Sequence, residues 1–163
     1  MRSIKLILIF FAVFSTRIGY CQNSYIWAVD SIVKKIENLE YFYTAEENKR
    51  YFSADSTQVG FRSVVYTYAD KSGNKLKKVD LMTNTPNDNS SIIYYFNDKK
   101  LIKVDVRVIV HGKLYVQQAY FKNNKAVFSS TYYDIKFARS IYLQKASMYL
   151  KYRSKIYNPN FIN

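Results

Sequence analysis

Between Leu101 and Val110 the chain alternates without a break: Ile102, Val104, Val106, Val108 and Val110 are apolar, and Lys103, Asp105 and Arg107 stand between them. A period of two places each set on its own side of an extended backbone, so this stretch is a strand with one face buried. Its neighbours carry the same signal. Ile92–Phe96 runs into Asn97-Asp98-Lys99-Lys100, the turn His111-Gly112-Lys113 leads into Leu114–Phe121, and Asn123-Asn124 leads into Ala126–Tyr133. Earlier, Phe61–Ala69 and Leu76–Met82 flank Asp70-Lys71-Ser72-Gly73-Asn74, whose residue types favour a turn. Thr83–Ser90, with Pro86 and several Asn residues, reads as the longest interruption. The pattern predicts an antiparallel meander of about six strands, in three hairpins.

The hairpins are evenly spaced. Gly73, Asp98 and Asn123 lie 25 residues apart, and each follows an aromatic strand: Tyr66 and Tyr68, then Tyr94, Tyr95 and Phe96, then Tyr120 and Phe121. A spacing of that length marks a repeated supersecondary unit. Tyr94-Tyr95-Phe96-Asn97-Asp98-Lys99-Lys100-Leu101 and Ala119-Tyr120-Phe121-Lys122-Asn123-Asn124-Lys125 resemble the aromatic, Asn-Gly-Lys hairpins of MORN-like repeats, with Lys99 and Asn124 standing where that group carries its turn glycine. The resemblance covers roughly a third of the chain and implies hairpin geometry, with no activity attached.

Helical periodicity brackets the strands. Asn23 or Ser24 can cap a helix from Tyr25 to about Glu40, with Val29, Ile32, Val33, Ile36 and Leu39 on one side and Asp30, Lys34, Lys35, Glu37 and Asn38 on the other. A second helix, capped by Asp134, is expected to run to about Lys155, with Ile141, Tyr142, Met148 and Tyr149 on its apolar side. Tyr41–Gly60 has no clear period; a short strand or frayed helix end followed by a loop is expected there. The whole is a single α+β domain, with the C-terminal helix packed on one sheet face, beside the N-terminal helix.

At the amino terminus, Arg2 and Lys5 precede the apolar run Leu6–Phe14, which closes with Ser15-Thr16-Arg17-Ile18-Gly19-Tyr20-Cys21. The run falls short of the roughly 20 residues a bilayer span needs and has the layout of a secretory signal peptide. Residues 1–21 are expected to be the signal peptide and 22–163 the exported domain, periplasmic or secreted. Gly19 and Cys21 are the small residues that suit cleavage. The alternative is a lipid anchor on Cys21, although Tyr20 occupies a slot where a lipobox has Gly, Ala or Ser. Cys21 is the single cysteine, so without it the domain depends on its core alone.

Lys and Arg number 25 against 12 acids, for a formal net charge of +13. That field favours polyanions, although lysines at hairpin ends also keep sheet edges from pairing. Catalytic constellations are sparse. His111, in a turn, is the one histidine, and the exported domain is expected to hold no cysteine, which excludes Cys-His catalysis and a metal site of several such ligands. No serine stands in a Gly-x-Ser-x-Gly elbow, and Gly60, Gly73 and Gly112 build no phosphate loop. Asp80 and Asp105 are the strand acids, and flanking cations are expected to hold each ionised in a cross-strand pair.

An enzyme is therefore not expected, nor is a cofactor or a metal. The expected function is non-catalytic binding of an anionic ligand (an acidic glycan, a lipid headgroup or an acidic protein) on a basic, Tyr-rich sheet face, through Lys77, Lys103, Arg107 and Tyr115. Nucleic acid is not the expected partner, and peripheral membrane contact remains open. The alternatives are a protein-interaction module of the inhibitor or immunity type and, behind it, a small hydrolase working through Asp80 and Asp105.

Overall fold

The computed structural model describes residues 23–39, 43–54, 57–70, 72–86, 88–110, 112–131 and 139–156. The expected signal peptide with Cys21, His111 and the expected helix cap Asp134 lie outside the described residues. Helix α1 occupies residues 23–37. It is followed by β1 (Tyr43–Phe52), β2 (Gln58–Tyr68), β3 (Leu76–Thr85), β4 (Asp88–Asn97), β5 (Lys100–Val110), β6 (Lys113–Lys122) and β7 (Lys125–Thr131), and helix α2 (Arg139–Ile156) ends the described chain. The strands form one sheet whose order is the chain order, and every neighbouring pair is antiparallel. The α+β meander between two helices is what the alternation of apolar residues predicts.

Two segments differ from expectation. The unassigned stretch supplies a seventh strand, β1, whose Tyr43 and Ala45 lie opposite Tyr68 and Tyr66 while Glu46–Arg50 are exposed. It is an edge strand, and its charges obscure the period while they guard the edge. The Thr83–Ser90 interruption shrinks to the short connection between Thr85 and Asp88, with a turn at Pro86, because Thr83 pairs with Ser90, Asn84 with Asn89 and Thr85 with Asp88. These strand ends are polar because solvent reaches them.

The hairpins β2–β3, β4–β5 and β6–β7 share a construction. Each has a register shift at the same place, after Thr67, Tyr95 and Tyr120. The second strand carries one extra residue there, a bulge that turns two successive side chains to one side. In β5 those residues are Ile102 and Lys103, so Ile102 leaves the Val104 side to which strict alternation assigns it, and Leu101 takes its place. Two of the turns bend through left-handed residues, Asp98 (φ 47°) with Lys99 (φ 61°) and Asn123 (φ 50°) with Asn124 (φ 59°). Two successive positive φ values give the type I′ turn, whose twist suits a two-residue hairpin. Between Asp70 and Asn74 the bend is wider. Asp70 Oδ1 accepts hydrogen bonds from Ser72 Oγ at 3.0 Å and Asn74 N at 2.9 Å, and Gly73 supplies φ 64°.

Both faces of the sheet are apolar, and each takes one helix. Val64, Tyr66, Leu81, Tyr94, Phe96, Val104, Val106 and Phe121 pack with Tyr142, Ala146 and Tyr149 of α2. The intervening residues Tyr95, Ile102 and Tyr120 pack with Val29, Val33 and Ile36 of α1. The helices therefore lie on opposite faces, not side by side. Tyr94 and Tyr95 are adjacent in β4 and both buried, which a strand achieves only with cover on its two sides. In α2 the buried stripe is Tyr142, Ala146 and Tyr149, at i, i+4 and i+7, whereas Ile141 and Met148 are exposed. Ala146 lets the helix approach, and the rings of Tyr142 and Tyr149 meet Tyr94 edge-on at 6.3 and 5.2 Å between centroids.

Candidate functional site

The four residues expected to bind a ligand do not converge. Tyr115 lies opposite Val108, which packs into the α2-side core, so Tyr115 is on the α2 face. Lys77, Lys103 and Arg107 belong to the α1 face, at three different depths. Arg107 is exposed on its uncovered half, between Ser91 and Val116. Lys103 is 5% exposed beneath α1. Lys77 is half-buried at the end of the β2–β3 hairpin.

Lys103 belongs to a polar clamp that holds α1 to the sheet. Its Nζ stands 3.0 Å from Asp30 Oδ1, 3.4 Å from Asp105 Oδ1 and 5.1 Å from the centre of the Tyr120 ring. Tyr120 donates its hydroxyl to the same Asp30 carboxylate, at 3.0 and 3.1 Å. One turn-pair along the helix, Glu37 accepts from Tyr95 at 2.8 Å and pairs with Lys78 at 3.0 Å. Tyr25 donates its hydroxyl to the backbone oxygen of Phe121. Asp30 and Glu37, expected on the solvent side of the helix, sit on the flank that meets the sheet. Their separation of seven residues keeps them on one side of an α-helix and is the signal in the sequence that marks them.

Burial opposes the charge of Lys103, but Asp105 and Asp30 outweigh it, and the ammonium is held protonated above its ordinary range. For Asp105 burial prevails over Lys103 and raises its pKa. Burial also raises Asp80, with Glu37 adding to the effect and Lys78 opposing it. The flanking cations therefore do not set the direction of either shift, because burial removes more hydration than the lysines return. Asp80 and Asp105 lie on either side of Ile93, both on the α1 face.

Cations free of such clamps gather at the hairpin tips. Because the meander reverses at each turn, the β2–β3, β4–β5 and β6–β7 tips share one end of the sheet, and they carry Lys75, Lys77, Lys99, Lys100, Lys122 and Lys125. Between the first two tips lies a cavity of about 380 Å³, lined among the described residues by Asn74, Lys75, Leu76, Lys77, Asp98 and Lys99. Among the described residues none of its three lysines forms an ion pair. Of the turn acids, Asp98 is part of this lining, whereas Asp70 accepts from Ser72 and Asn74; burial is the largest single effect on Asp70 and opposes its charge, but those bonds and Lys75 together hold its carboxyl below its usual range. The arrangement offers ammonium groups around a small apolar floor, which suits an anion carried on a partly apolar body. Lys77 alone among the four expected ligand residues belongs to it. Lys75 and Lys99 read in the sequence as turn lysines, and only the alignment of the tips brings them together.

Beyond the reach of α1, the same face exposes Phe61, Met82, Ile109 and Leu114 around Arg107. Among the described residues no three His, Cys, Asp or Glu side chains stand close enough to hold a metal ion, and no helix is long and apolar enough to cross a membrane. Comparison of the chain with models of protein families, with curated proteins and with solved structures finds no match.

Proposed function

We propose that the chain is an exported, non-catalytic binding protein that takes an anionic ligand at the basic end of its sheet. The observation that carries this reading is the cavity between the first two hairpin tips, where Lys75, Lys77 and Lys99 surround Leu76. The formal charge of +13 supplies a long-range field of the right sign, and the clamp under α1 uses Lys78 and Lys103 internally, leaving the tip lysines for a ligand. The proposed site therefore moves from the open sheet face to its end, keeping Lys77 and leaving out Lys103, Arg107 and Tyr115.

Binding to heparin, inorganic polyphosphate and an acidic peptide, measured at two salt concentrations, tests it. Replacing Lys75, Lys77 and Lys99 by Glu should abolish binding, and each single Lys→Gln change should reduce the dependence of log K on log salt by close to one contact. Binding unchanged in the triple variant would reject this site.

A second reading, a protein-interaction module, is favoured by the exposed Phe61, Met82, Ile109 and Leu114 around Arg107. An aromatic and aliphatic surface of that kind loses little affinity in salt. A partner captured through it should be lost on Met82→Lys and kept in the triple lysine variant.

A further inference from the structure

The chain has one tryptophan, and the fold does not use it: Trp27 is 80% exposed on α1. It stands four residues before Ser31 and seven before Lys34, so the three form one stripe, and all are exposed on the side of the helix away from the buried Val29, Val33 and Ile36. Lys35 is exposed beside that stripe. The described acids of this helix do not offset these lysines, because Asp30 is bound to Lys103 and Tyr120 and Glu37 to Lys78 and Tyr95. The outer surface of α1 is thus cationic with an indole at its centre.

This surface continues into the lysines of the hairpin tips. Lys122 Nζ lies 5.3 Å from the centre of the Tyr25 ring in the first turn of α1, which joins the β6–β7 tip to the helix. A hollow of about 430 Å³ opens beside the indole, lined among the described residues by Trp27, Asp30, Ser31 and Lys34. The carboxylate among those residues, Asp30, is the one bound to Lys103 and Tyr120.

We propose that the anionic ligand is the surface of a phospholipid bilayer, met by the outer side of α1 with Trp27 at headgroup depth and Lys34, Lys35 and the tip lysines on lipid phosphates. This rests on the anionic-ligand reading above and names its partner. A helix laid across a sheet is a ridge, and a residue on its crest reaches a flat surface more readily than it encloses a flexible chain. Indole is the side chain most at home at a membrane interface, where its ring is half-desolvated and its N–H remains wet. Lysines around it supply the attraction to anionic lipid. A nucleic acid or a glycan would instead call for a groove, with several rings available for stacking.

The single tryptophan makes the test direct. The purified protein, as the cell processes it, is mixed with vesicles of phosphatidylcholine alone, with vesicles containing phosphatidylglycerol, and with heparin, while tryptophan emission and co-sedimentation are followed. Anionic vesicles should bind the protein and shift the emission to the blue, and neutral vesicles should do neither. Trp27→Ala should weaken vesicle binding about tenfold with heparin binding unchanged, and Lys34→Glu with Lys35→Glu should weaken it by at least as much, at about fivefold per lysine. These side chains are exposed, so the variants should fold as the parent does, which circular dichroism checks. Heparin binding without vesicle binding would overturn the membrane proposal and leave the anionic-ligand reading standing. Vesicle binding with unshifted emission and no loss in Trp27→Ala would also overturn it, and binding to neither would end both.

Discussion

Lys103 Nζ lies 3.0 Å from Asp30 Oδ1, and this contact joins residues 73 positions apart in the chain. The partners are unequal: the side chain of Lys103 is 7% exposed and that of Asp30 45%. Removing either breaks the pair, but the group left behind differs. Asp30→Ala leaves an ammonium with Asp105 still beside it, whereas Lys103→Met takes the cation from two carboxylates, Asp30, which water can reach, and the more buried Asp105. Lys103→Met should therefore cost about 2 kcal/mol, and Asp30→Ala distinctly less. Urea unfolding of the two variants decides it, and equal losses would contradict the account.

Asp80 and Asp105 should each contribute more to native stability in acid than at neutral pH, opposite in sign to Asp70. Asp80 and Asp105 have their native pKa values raised by burial above the ordinary 3.8. The native state then holds protons that the unfolded chain has released, so stability falls as pH rises from the unfolded value through the native ones. Asp80→Asn should stabilise the protein at neutral pH, and the gain should vanish where the native carboxyl is already protonated. Thermal melts across that range would show it, and a gain that grows toward acid would refute it.

Tyr94 and Tyr142 are both buried, but only one hydroxyl is placed to advantage. Tyr142 donates to Gln117 Oε1 at 3.2 Å, and Gln117 is itself buried. The Tyr94 hydroxyl is buried with no hydrogen-bond partner among the described residues. Tyr142→Phe should cost about 1 kcal/mol or somewhat more, and Tyr94→Phe should be neutral or slightly stabilising. Paired chemical denaturation curves measure the contrast.

Lys99 occupies the second left-handed position of a tight turn, at φ 61°. Lysine has no side-chain compensation for that backbone, and glycine adopts it freely. Lys99→Gly should raise stability by about 0.5 kcal/mol, and Lys99→Val should lower it. An unchanged or lowered melting temperature for the glycine variant would indicate that the turn relaxes by another route.

The sequence discloses the strands because one period of two runs through Leu101–Val110 and its neighbours, and a sheet with solvent-exposed turns needs little else. It hides the second helix-bearing face. Tyr94-Tyr95-Phe96 reads as an aromatic run and not as two half-cores, and Lys103 and Asp105 look like solvated residues until α1 lies over them. The bulge at Ile102 is invisible for a related reason: one inserted residue changes a side chain's face without changing any residue type. Of the candidate site, Lys77 was legible by its place in an alternating strand. Lys75 and Lys99 were not, since their proximity depends on the alignment of separate tips. Trp27 carries no signal of its own, because a helix pattern says which residues can pack and is silent on an exposed ring with no packing role.

The sheet order has a consequence for how the molecule assembles. Each strand pairs with the strand made just before it, so the meander can close hairpin by hairpin as the chain lengthens, with short loops at every step. Helix α1 is the exception. Tyr25 bonds to Phe121, 96 residues later, and Asp30 bonds to Tyr120 at a separation of 90. Pulse-labelled hydrogen exchange should find α1 acquiring protection after β4 and β5, because its seat does not exist until β6 is in place. Helix α1, made before the sheet, is then fastened only after six strands have formed, and until that moment its inward side and the sheet lysines it will cover are free to meet other surfaces.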